Sequence, residues 1–455
     1  MPDRSLSLTF LGATGTVTGS KYLLDDGRVQ VLVDCGLFQG FKQLRLRNWE
    51  ALSVTARALD AVVLTHAHVD HSGYLPVLAR AGYRGAVYCT PSTAALCRIL
   101  LPDAARLQEL DAEYANKKGY SRHHPALPLY TSEDATRALE LLRPVEFGER
   151  FKLPGGQHAT FTRAGHILGA ASVCVEADGS RVLFSGDLGR NEDLLMDPPE
   201  TRPDADVVVM ESTYGDRLHA DIDPAQALGD AIGRTIARGG TVLIPAFSVG
   251  RTQAILVLLH RLRVAGRLPT VPIYVDSPMA IAVTELYARH AKDHRLDPAT
   301  LEAAFSAAEY TRESEASKAI DRREGPSIVI AASGMATGGR IVHHLKRFAP
   351  HHENMIILAG YQAAGTRGAA LAAGTSQLKI HGQYVPVRAE VAHIDSMSAH
   401  ADQRELLAWL GKGARPRQLF LVHGEPAAAD NLRLKIHEQL GWESVIPEYR
   451  DTVRL

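Results

Sequence analysis

The feature that most constrains this sequence is the segment Thr65-His66-Ala67-His68-Val69-Asp70-His71, which directly follows the apolar strand pattern Ala61–Thr65. It places three imidazoles and one carboxylate within six residues, where a strand gives way to an irregular turn. Imidazole and carboxylate groups are the ligands that Zn²⁺ accepts at catalytic sites. The segment therefore predicts a metal centre at a strand end, and the alternative is a polar turn with a structural role only.

One such segment cannot complete two metal sites, so further ligands have to come from elsewhere in the chain. Four residues lie where other predicted strands end or shortly after them: Asp34, His166, Asp187 and His423. Taken alone, each would more often be a buried core or turn residue than a ligand. Together with His66–His71, they predict that several strand ends meet at one metal-binding edge.

Composition places the chain among ordinary globular proteins. Of 455 residues, 45% are apolar and 22% are charged, which excludes a disordered tail, a fibre and a small disulfide scaffold. The net charge of −1 argues against a histone-like nucleic-acid binder but permits a local basic groove. No apolar run is long enough to span a membrane, and the N-terminus lacks the apolar block of a signal peptide. Without a C-x-x-C pair, the four cysteines fit a reduced cytoplasmic compartment.

The first 208 residues read as two groups of strands with helices around them. Alternation at Leu6, Leu8 and Phe10 indicates a first strand, and a helix is expected from about Gly73. Residues 102–132 are more polar and are expected to form a solvated helix and loop. The other predicted strands are Val29–Asp34, Ala61–Thr65, Ala159–Thr162, Ser172–Val175 and Val182–Ser185. This pattern favours a sandwich of sheets with helices outside.

After residue 208 the pattern changes to four successive strand-loop-helix units. Their predicted strands are Thr241–Ile244, Ile273–Val275, Ile328–Ala331 and Met355–Leu358. Repeated units of this kind predict a parallel sheet whose loops gather at its carboxyl edge. The charged helical stretch Ser306–Arg323 is expected at the periphery.

Further motifs give the chain a family resemblance. Met210–Asp216 (MESTYGD), Ser398–Asp402 (SAHAD) and Val422–Glu425 (VHGE), together with His66–His71, resemble the β-CASP branch of the metallo-β-lactamase superfamily. That branch includes the nuclease subunit of the cleavage and polyadenylation factor, ribonuclease J and DNA-repair nucleases. The resemblance implies an α/β fold, an αββα sandwich with an inserted β-CASP domain. Its expected parts are 1–208, the insertion 209–390 and the C-terminal part 391–455.

The resemblance also implies the ligands of two zinc ions, although manganese would suit the same groups. Asp187 is expected to bridge the two ions. Asp34 is expected to orient one of the ligands without binding an ion itself. The first ion would be held by His66, His68 and His166, and the second by Asp70, His71 and His423. Two metals so placed suit in-line displacement at phosphorus.

The resemblance assigns His400 as the general acid and Glu211 as the residue that orients it, whereas nearby His393 is expected to be structural. Candidate phosphate contacts are Ser398, Thr213, Tyr214, Arg251, Ser333, Gly334 and Arg340. The glycine-rich loops around Arg251 and Arg340 could present amides to a phosphate, but such turns also arise for packing reasons alone. The doublets His343-His344 and His351-His352 are expected at the surface.

The function implied is hydrolysis of single-stranded RNA in RNA processing or decay, endonucleolytic rather than purely 5′-to-3′ exonucleolytic. The inserted domain and the His400–Glu211 pair disfavour a small-ester hydrolase, while a DNA nuclease of the same family stays open. An inactive RNA-binding scaffold would predict missing ligands, and none is missing. The 32 residues after His423 (455 minus 423) leave no room for a long C-terminal domain, so we expect a compact nuclease. A homo-oligomer is compatible with the sequence, which does not specify one.

Overall fold

A computed structural model describes residues 6–119 and 121–455, which form two compact units. Unit 1 comprises residues 6–193 apart from residue 120, together with 197–218 and 400–455. Unit 2 comprises residues 194–196 and 219–399, compared with the predicted insertion 209–390. Residues 1–5, which belong to the N-terminus expected to lack a signal sequence, lie outside the described part.

Unit 1 contains two mixed sheets, with strands and helices numbered in chain order. The seven-stranded sheet has the order β21-β1-β2-β3-β4-β5-β6, formed by Ser7–Phe10 (β1), Tyr22–Asp25 (β2), Gln30–Val33 (β3), Ala61–Val63 (β4), Ala86–Cys89 (β5), Leu142–Pro144 (β6) and Thr452–Arg454 (β21). The six-stranded sheet has the order β20-β11-β10-β9-β8-β7, formed by Arg150–Lys152 (β7), His158–Arg163 (β8), Ala171–Ala177 (β9), Ser180–Phe184 (β10), Val207–Glu211 (β11) and Gln418–Val422 (β20). Both counts refer to the described residues.

The core of unit 1 lies between these two sheets. Because side chains alternate along a strand, every second residue of β1 faces the core, and Leu8 and Phe10 are buried there. Phe10 contacts Phe420 of the opposite sheet with ring centroids 5.1 Å apart, and Tyr22 stacks on Phe184 at 5.7 Å. Aromatic pairs of this kind add to the stabilisation from buried apolar area. The predicted sandwich is confirmed.

The helices of unit 1 complete this fold. They are Lys42–Arg47 (α1), Val69–Ser72 (α2), Leu75–Arg80 (α3), Pro91–Lys118 (α4), Ser132–Glu140 (α5), Gln403–Gly411 (α13) and Pro426–Leu440 (α14). Apart from residue 120, which lies outside the described part, the polar stretch 102–132 corresponds to the second half of α4 and the segment that leads to α5, as expected. Within the described residues, no helix combines the length and apolar character that crossing a bilayer requires.

Unit 2 is built on a parallel sheet with the order β14-β13-β15-β12-β16-β19, and a separate hairpin pairs β17 with β18. Its strands are Val242–Pro245 (β12), Ile273–Asp276 (β13), Glu309–Tyr310 (β14), Ile328–Ala331 (β15), Met355–Ala359 (β16), Gln377–Ile380 (β17), Gln383–Pro386 (β18) and Glu390–Ile394 (β19). Its helices are Pro224–Ala237 (α6), Arg251–Val264 (α7), Pro278–Arg289 (α8), Pro298–Phe305 (α9), Ser314–Arg322 (α10), Ile341–Phe348 (α11) and Arg367–Ala372 (α12).

Two expectations for unit 2 need correction. The stretch 306–323 is not helical throughout, because Glu309–Tyr310 first pairs with β13 at the sheet edge and α10 follows. His344 is not a surface residue. It is fully buried on α11, where Nε2 lies 2.7 Å from Asp276 Oδ2 and Nδ1 lies 2.7 Å from Asp321 Oδ1. The parallel sheet itself is confirmed.

Candidate metal centre and active site

The predicted site residues of unit 1 come together because parallel strands end at the same edge of a sheet. β10, β11 and β20 are parallel neighbours, so Asp187, Glu211 and His423 follow or end adjacent strands. The segment His66–His71 leaves β4 in the other sheet. The backbone bond from Ala171 N–H to the Thr65 carbonyl, 2.8 Å long, joins the two sheets at this point. Polar side chains from both sheets therefore converge.

The first cluster contains His66, His68, His166 and Asp187. Nδ1 of His68 lies 3.1 Å from Nε2 of His66 and 3.2 Å from Nε2 of His166. Oδ2 of Asp187 lies 3.5 Å and 3.6 Å from those same Nε2 atoms of His66 and His166. Three ring nitrogens and one carboxylate oxygen thus face a common point.

The second cluster contains Asp70, His71 and His423. Nε2 of His423 lies 3.2 Å from Nε2 of His71 and 3.5 Å from Oδ2 of Asp70. The other oxygen of Asp187, Oδ1, lies 3.3 Å from Nε2 of His71. Asp187 therefore presents one oxygen to each cluster.

These separations match what a tetrahedral zinc ion requires. Ligand atoms about 2.0–2.1 Å from zinc at the corners of a tetrahedron are about 3.3–3.4 Å apart. The distances between neighbouring ligand atoms in the two clusters run from 3.1 Å to 3.6 Å, close to that value. Among the described residues, Oδ1 of Asp187 also has no hydrogen-bond partner of good geometry, despite being buried and 3.3 Å from His71. The residues present fit a metal centre.

Residues behind the rings fix which nitrogen of each histidine faces the centre. Nδ1 of His71 lies 2.7 Å from Oδ2 of Asp34, so Nε2 is directed at the cluster. Nδ1 of His66 lies 3.1 Å from Thr65 Oγ1, which itself donates to Asp34. Such supports fix the tautomer and orientation of metal ligands. The sequence prediction included Asp34 but missed Thr65, although its position between the strand and the histidines was a signal.

Thr213 supports His423 in the same way, which differs from its predicted contact with phosphate. Its hydroxyl lies 3.1 Å from Nδ1 of His423 and donates to the His423 carbonyl oxygen at 3.0 Å. The side chain is only 3% exposed. Thr213 is therefore placed to orient a ligand ring, and its hydroxyl is not presented to the surface.

His400 and Glu211 form a pair beside the first cluster. Nδ1 of His400 lies 3.2 Å from Oε2 of Glu211, and Nε2 lies 4.0 Å from Oδ2 of Asp187. Glu211 is itself buried and accepts a hydrogen bond from the backbone N–H of Leu188. The His400 side chain retains 16% exposure. A histidine with one nitrogen held by a carboxylate and the other directed at the centre has the arrangement of a general acid.

The electrostatics favour a cation at this centre. Burial, reinforced by the neighbouring His71, lowers the pKa of His66 well below its usual value, and burial lowers the pKa of His68 to about 4. Both rings are thus neutral at neutral pH, as metal ligands must be. Burial opposes charge on Asp187, but His423, His71 and His66 outweigh it and hold its pKa well below the usual range.

His71 and His400 shift in the opposite direction. Burial lowers the pKa of His71, but Asp187 and Asp34 outweigh burial and raise it well above the usual value. Metal binding at His71 would therefore displace a proton. Burial likewise opposes protonation of His400, but the Glu211 carboxylate outweighs burial and raises the pKa of this ring.

Comparisons with known proteins agree with this geometry. Three family models match the chain: the metallo-β-lactamase superfamily over residues 14–228, the Beta-Casp domain over 252–371, and the Zn-dependent metallo-hydrolase RNA specificity domain over 384–447. Ribonuclease TTHA0252 of Thermus thermophilus is 41% identical over 91% of this chain and 92% of its own length. The chain belongs to the β-CASP branch of the metallo-β-lactamase superfamily. The family prediction is confirmed.

Other β-CASP relatives extend the comparison. Transcription termination factor FttA of Methanosarcina mazei is 31% identical over the whole of this chain and 72% of its own length. An RNase J-like protein of Methanocaldococcus jannaschii is 30% identical over 97% of both chains. A solved structure of a protein of unknown function from Enterococcus faecalis V583 superposes with a TM-score of 0.52 at 12% identity, covering 99% of this chain and all of the other. That likeness concerns the fold alone.

In unit 2 of this β-CASP protein, the glycine-rich loop after β15 is held mainly by its own atoms. Ser333 Oγ accepts hydrogen bonds from the backbone N–H groups of Thr337 at 3.1 Å and Gly338 at 3.4 Å. A side chain at Gly334 would collide with the ring of Phe247, so close packing explains that glycine. The packing alternative left open for this loop therefore has direct support.

The contacts of Arg340 are structural and argue against its predicted role in phosphate binding. Its Nη1 lies 2.5 Å from Oδ1 of buried Asp276 and donates to the Thr311 carbonyl oxygen at 2.9 Å. Its Nη2 donates to the carbonyl oxygen of Arg312 at 2.6 Å. A phosphate would have to compete with this carboxylate and with both carbonyl groups.

The remaining candidates occupy varied positions. Ser398 is buried in unit 2 beside Gly360, and the guanidinium of Arg251 also lies beside Gly360. His393 in the same unit lies 3.1 Å from Asp395 and 2.9 Å from the Gly360 carbonyl oxygen through Nε2, which fits the structural role expected of it. Tyr214 in unit 1 is buried with its ring centroid 6.3 Å from that of His400.

Proposed function

We propose that this chain is a metal-dependent ribonuclease that hydrolyses phosphodiester bonds of single-stranded RNA, endonucleolytically, with two zinc ions bound. The observation that carries the proposal is the position of His400. Its Nδ1 is held 3.2 Å from Glu211 while Nε2 is directed at Asp187, the residue shared by both ligand clusters. A general acid beside a two-metal site suits expulsion of an alkoxide from phosphorus.

The ligands follow from the two clusters. His66, His68 and His166 would hold one ion, Asp70, His71 and His423 the other, and Asp187 would contribute one oxygen to each. Two such ions would supply a nucleophile at neutral pH and positive charge to stabilise the attacking and leaving oxygens. Manganese would suit the same imidazole and carboxylate donors.

The protein's own groups then set the course of the reaction. Asp34, Thr65 and Thr213 keep three ligand rings in the tautomer that directs Nε2 inward. Glu211 keeps a proton on Nδ1 of His400, which leaves Nε2 to donate its proton to the departing 3′ oxygen. Water would enter as the nucleophile, giving 5′-phosphate and 3′-hydroxyl products.

The names of the relatives support RNA as the substrate. The Thermus protein, which is 41% identical over 92% of its own length, is a ribonuclease by name, and an RNase J-like protein matches 97% of the chain. The family model over residues 384–447 describes an RNA specificity domain of Zn-dependent metallo-hydrolases. We therefore place this chain in RNA processing or decay.

The test uses purified, zinc-loaded protein with 5′-labelled single-stranded RNA and the matching DNA, each with and without chelator. We expect RNA to be cut internally and the chelator to abolish cleavage. If RNA were shortened only from its 5′ end, the protein would be an exonuclease and the proposed endonucleolytic action would be wrong. Cleavage of DNA alone would move the protein to the DNA nucleases, and cleavage of neither substrate would overturn the proposal.

A further inference from the structure

The short helix α1 in unit 1 exposes large aromatic and basic side chains together. None of its residues is buried, and the flanking rings of Phe41 and Trp49 are 54% and 57% exposed. Large apolar side chains that are exposed together mark interaction surfaces of soluble proteins. We call Phe41, Lys42, Arg45 and Trp49 the aromatic–basic surface.

Three residues of this surface are regularly spaced in the sequence. Phe41, Arg45 and Trp49 follow one another at intervals of four, with Phe41 just before α1, Arg45 within it and Trp49 two residues after its end. The backbone bond from Arg45 N–H to the Phe41 carbonyl, 3.0 Å long, confirms the helical turn between them. The exposed basic residues Lys42 and Arg45 therefore lie between the two exposed aromatic residues along the chain.

The helix is firmly attached to unit 1 despite this exposure. Asn48 is buried and accepts a hydrogen bond from Phe38 N–H at 2.9 Å, while its Nδ2 donates to the Phe38 carbonyl at 2.8 Å. Arg47 packs on the opposite side, with its guanidinium 4.1 Å from the centre of the Tyr449 ring. The outward side is thus presented in a fixed orientation, which lowers the entropic cost of binding a partner.

The charge of the segment identifies the kind of partner. Residues 41–49 contain Lys42, Arg45 and Arg47 but no acidic residue, although the whole chain has a net charge of −1. The nearby carboxylate of Glu50 is paired with Arg450 at 3.1 Å. Cations interleaved with exposed rings suit a single-stranded nucleic acid, because the rings stack on bases and the cations contact phosphates.

The backbone connects this surface to the metal centre. Cys35 N–H donates to the His71 carbonyl at 2.7 Å, and Leu37 N–H donates to the Val69 carbonyl at 2.9 Å. A side chain at Gly36 would collide with the Asp70 carbonyl, so this part of the chain lies directly against the ligand segment. Phe41 follows Gly36 by five residues, which span at most about 18 Å.

We propose that the aromatic–basic surface binds single-stranded RNA next to the metal centre, with bases stacked on Phe41 and Trp49 and a phosphate held by Arg45. The proposal rests on the ribonuclease function proposed above, and it adds a binding site on unit 1 for the strand that continues away from the cleaved bond. A membrane or a second copy of the chain could also use exposed rings, so the test includes both.

The experiment measures the affinity of zinc-loaded, full-length protein for fluorescein-labelled U15 RNA by anisotropy. All proteins carry His400→Ala, so that the RNA stays intact. We expect Phe41→Ala and Trp49→Ala each to weaken binding about 5-fold or more, since base stacking on one ring contributes about that much. Trp49→Phe retains a ring and should bind much better than Trp49→Ala. Arg45→Gln should lower the salt dependence of binding by about 0.7 in the logarithmic slope.

Tyr114→Ala is the matched control, because Tyr114 is 52% exposed on a different helix of unit 1, and we expect wild-type affinity. Zinc content and thermal unfolding show whether each variant is folded. Unchanged affinity in folded Phe41→Ala/Trp49→Ala protein would overturn the inference. The inference would also be overturned if this double variant kept its RNA affinity but no longer bound anionic vesicles. The same holds if it kept its RNA affinity but lost self-association, measured by light scattering. If RNA binding depends on this surface but the wild type cleaves no RNA, the inferred binding site is supported and the proposed ribonuclease function is refuted.

Discussion

Oδ2 of Asp34 lies 2.7 Å from Nδ1 of His71, and both side chains are buried. This contact fixes the ring nitrogen that faces the centre, so its loss should weaken metal binding without removing a ligand. We expect Asp34→Asn to lower zinc affinity about 10- to 100-fold, measured by competition with a chromophoric chelator. Asp178→Asn, at an exposed position, is the control and should bind zinc as the wild type does. Equal affinity of both variants would contradict this role of Asp34.

A variant of the proposed general acid and a variant of a proposed ligand should differ in how much zinc they bind. We expect His400→Ala to retain zinc and to lose RNA cleavage about 10²- to 10⁴-fold, because only proton donation to the leaving oxygen is removed. His68→Ala should lose zinc and cleavage together, since its Nδ1 lies between the nitrogens of His66 and His166. Zinc is quantified by mass spectrometry and cleavage by the initial rate, with the highly exposed His352→Ala as control. Undiminished cleavage by His400→Ala would refute its assignment.

Thr213 distinguishes a ligand support from a phosphate contact. Because its hydroxyl lies 3.1 Å from Nδ1 of His423, we expect Thr213→Ala to lower zinc affinity, about 10-fold or more. Thr213→Ser keeps the hydroxyl and should restore the affinity. A higher KM for RNA at wild-type zinc affinity would instead indicate that Thr213 contacts the substrate.

The buried pair His344–Asp276 should make unit 2 less stable at high pH. Burial opposes protonation of His344, but hydrogen bonds to Asp276 and Asp321 outweigh it and raise its pKa to about 9. The protonated ring therefore stabilises the folded state fully below pH 6.5, and this contribution is lost as the pH rises through 9. A shift of this size corresponds to about 3 kcal/mol for a fully buried group.

Urea unfolding at pH 6.5 and pH 9.5 measures this contribution. The wild type should lose more unfolding free energy between these pH values than His344→Gln, which cannot titrate at this position. Comparing the two proteins at each pH cancels the titration of groups common to both. Parallel pH profiles would show that His344 is neutral in the folded protein.

The sequence predicted the architecture because its signals are local. Apolar runs such as Ile328–Ala331 and Met355–Ala359 are fully buried strands, and the residues that follow such runs lie at strand ends. Asp187 and His423 were identified in this way. The distance between these two residues could not be predicted from the sequence, because it depends on which strands become parallel neighbours.

Side-chain partners distant in the sequence were harder to predict. His344 shares a helix face with Ile341, Leu345 and Phe348, and this spacing could have indicated burial. Its partner Asp276 lies 68 residues earlier, and nothing local reveals that pairing. Thr213 likewise pairs with His423, which lies 210 residues later and has a left-handed backbone at φ 47°, and neither property has a local signal in the sequence.

The two imidazoles of the second cluster, His71 and His423, are separated by 352 residues along the chain. Contacts between such distant residues require the closure of a long loop, whose entropic cost slows folding. A polypeptide that is still emerging from the ribosome thus carries His71 long before His423 has been added. Both clusters can be complete only after residue 423 has been added, so a chain that ends before this residue lacks one of the proposed ligands.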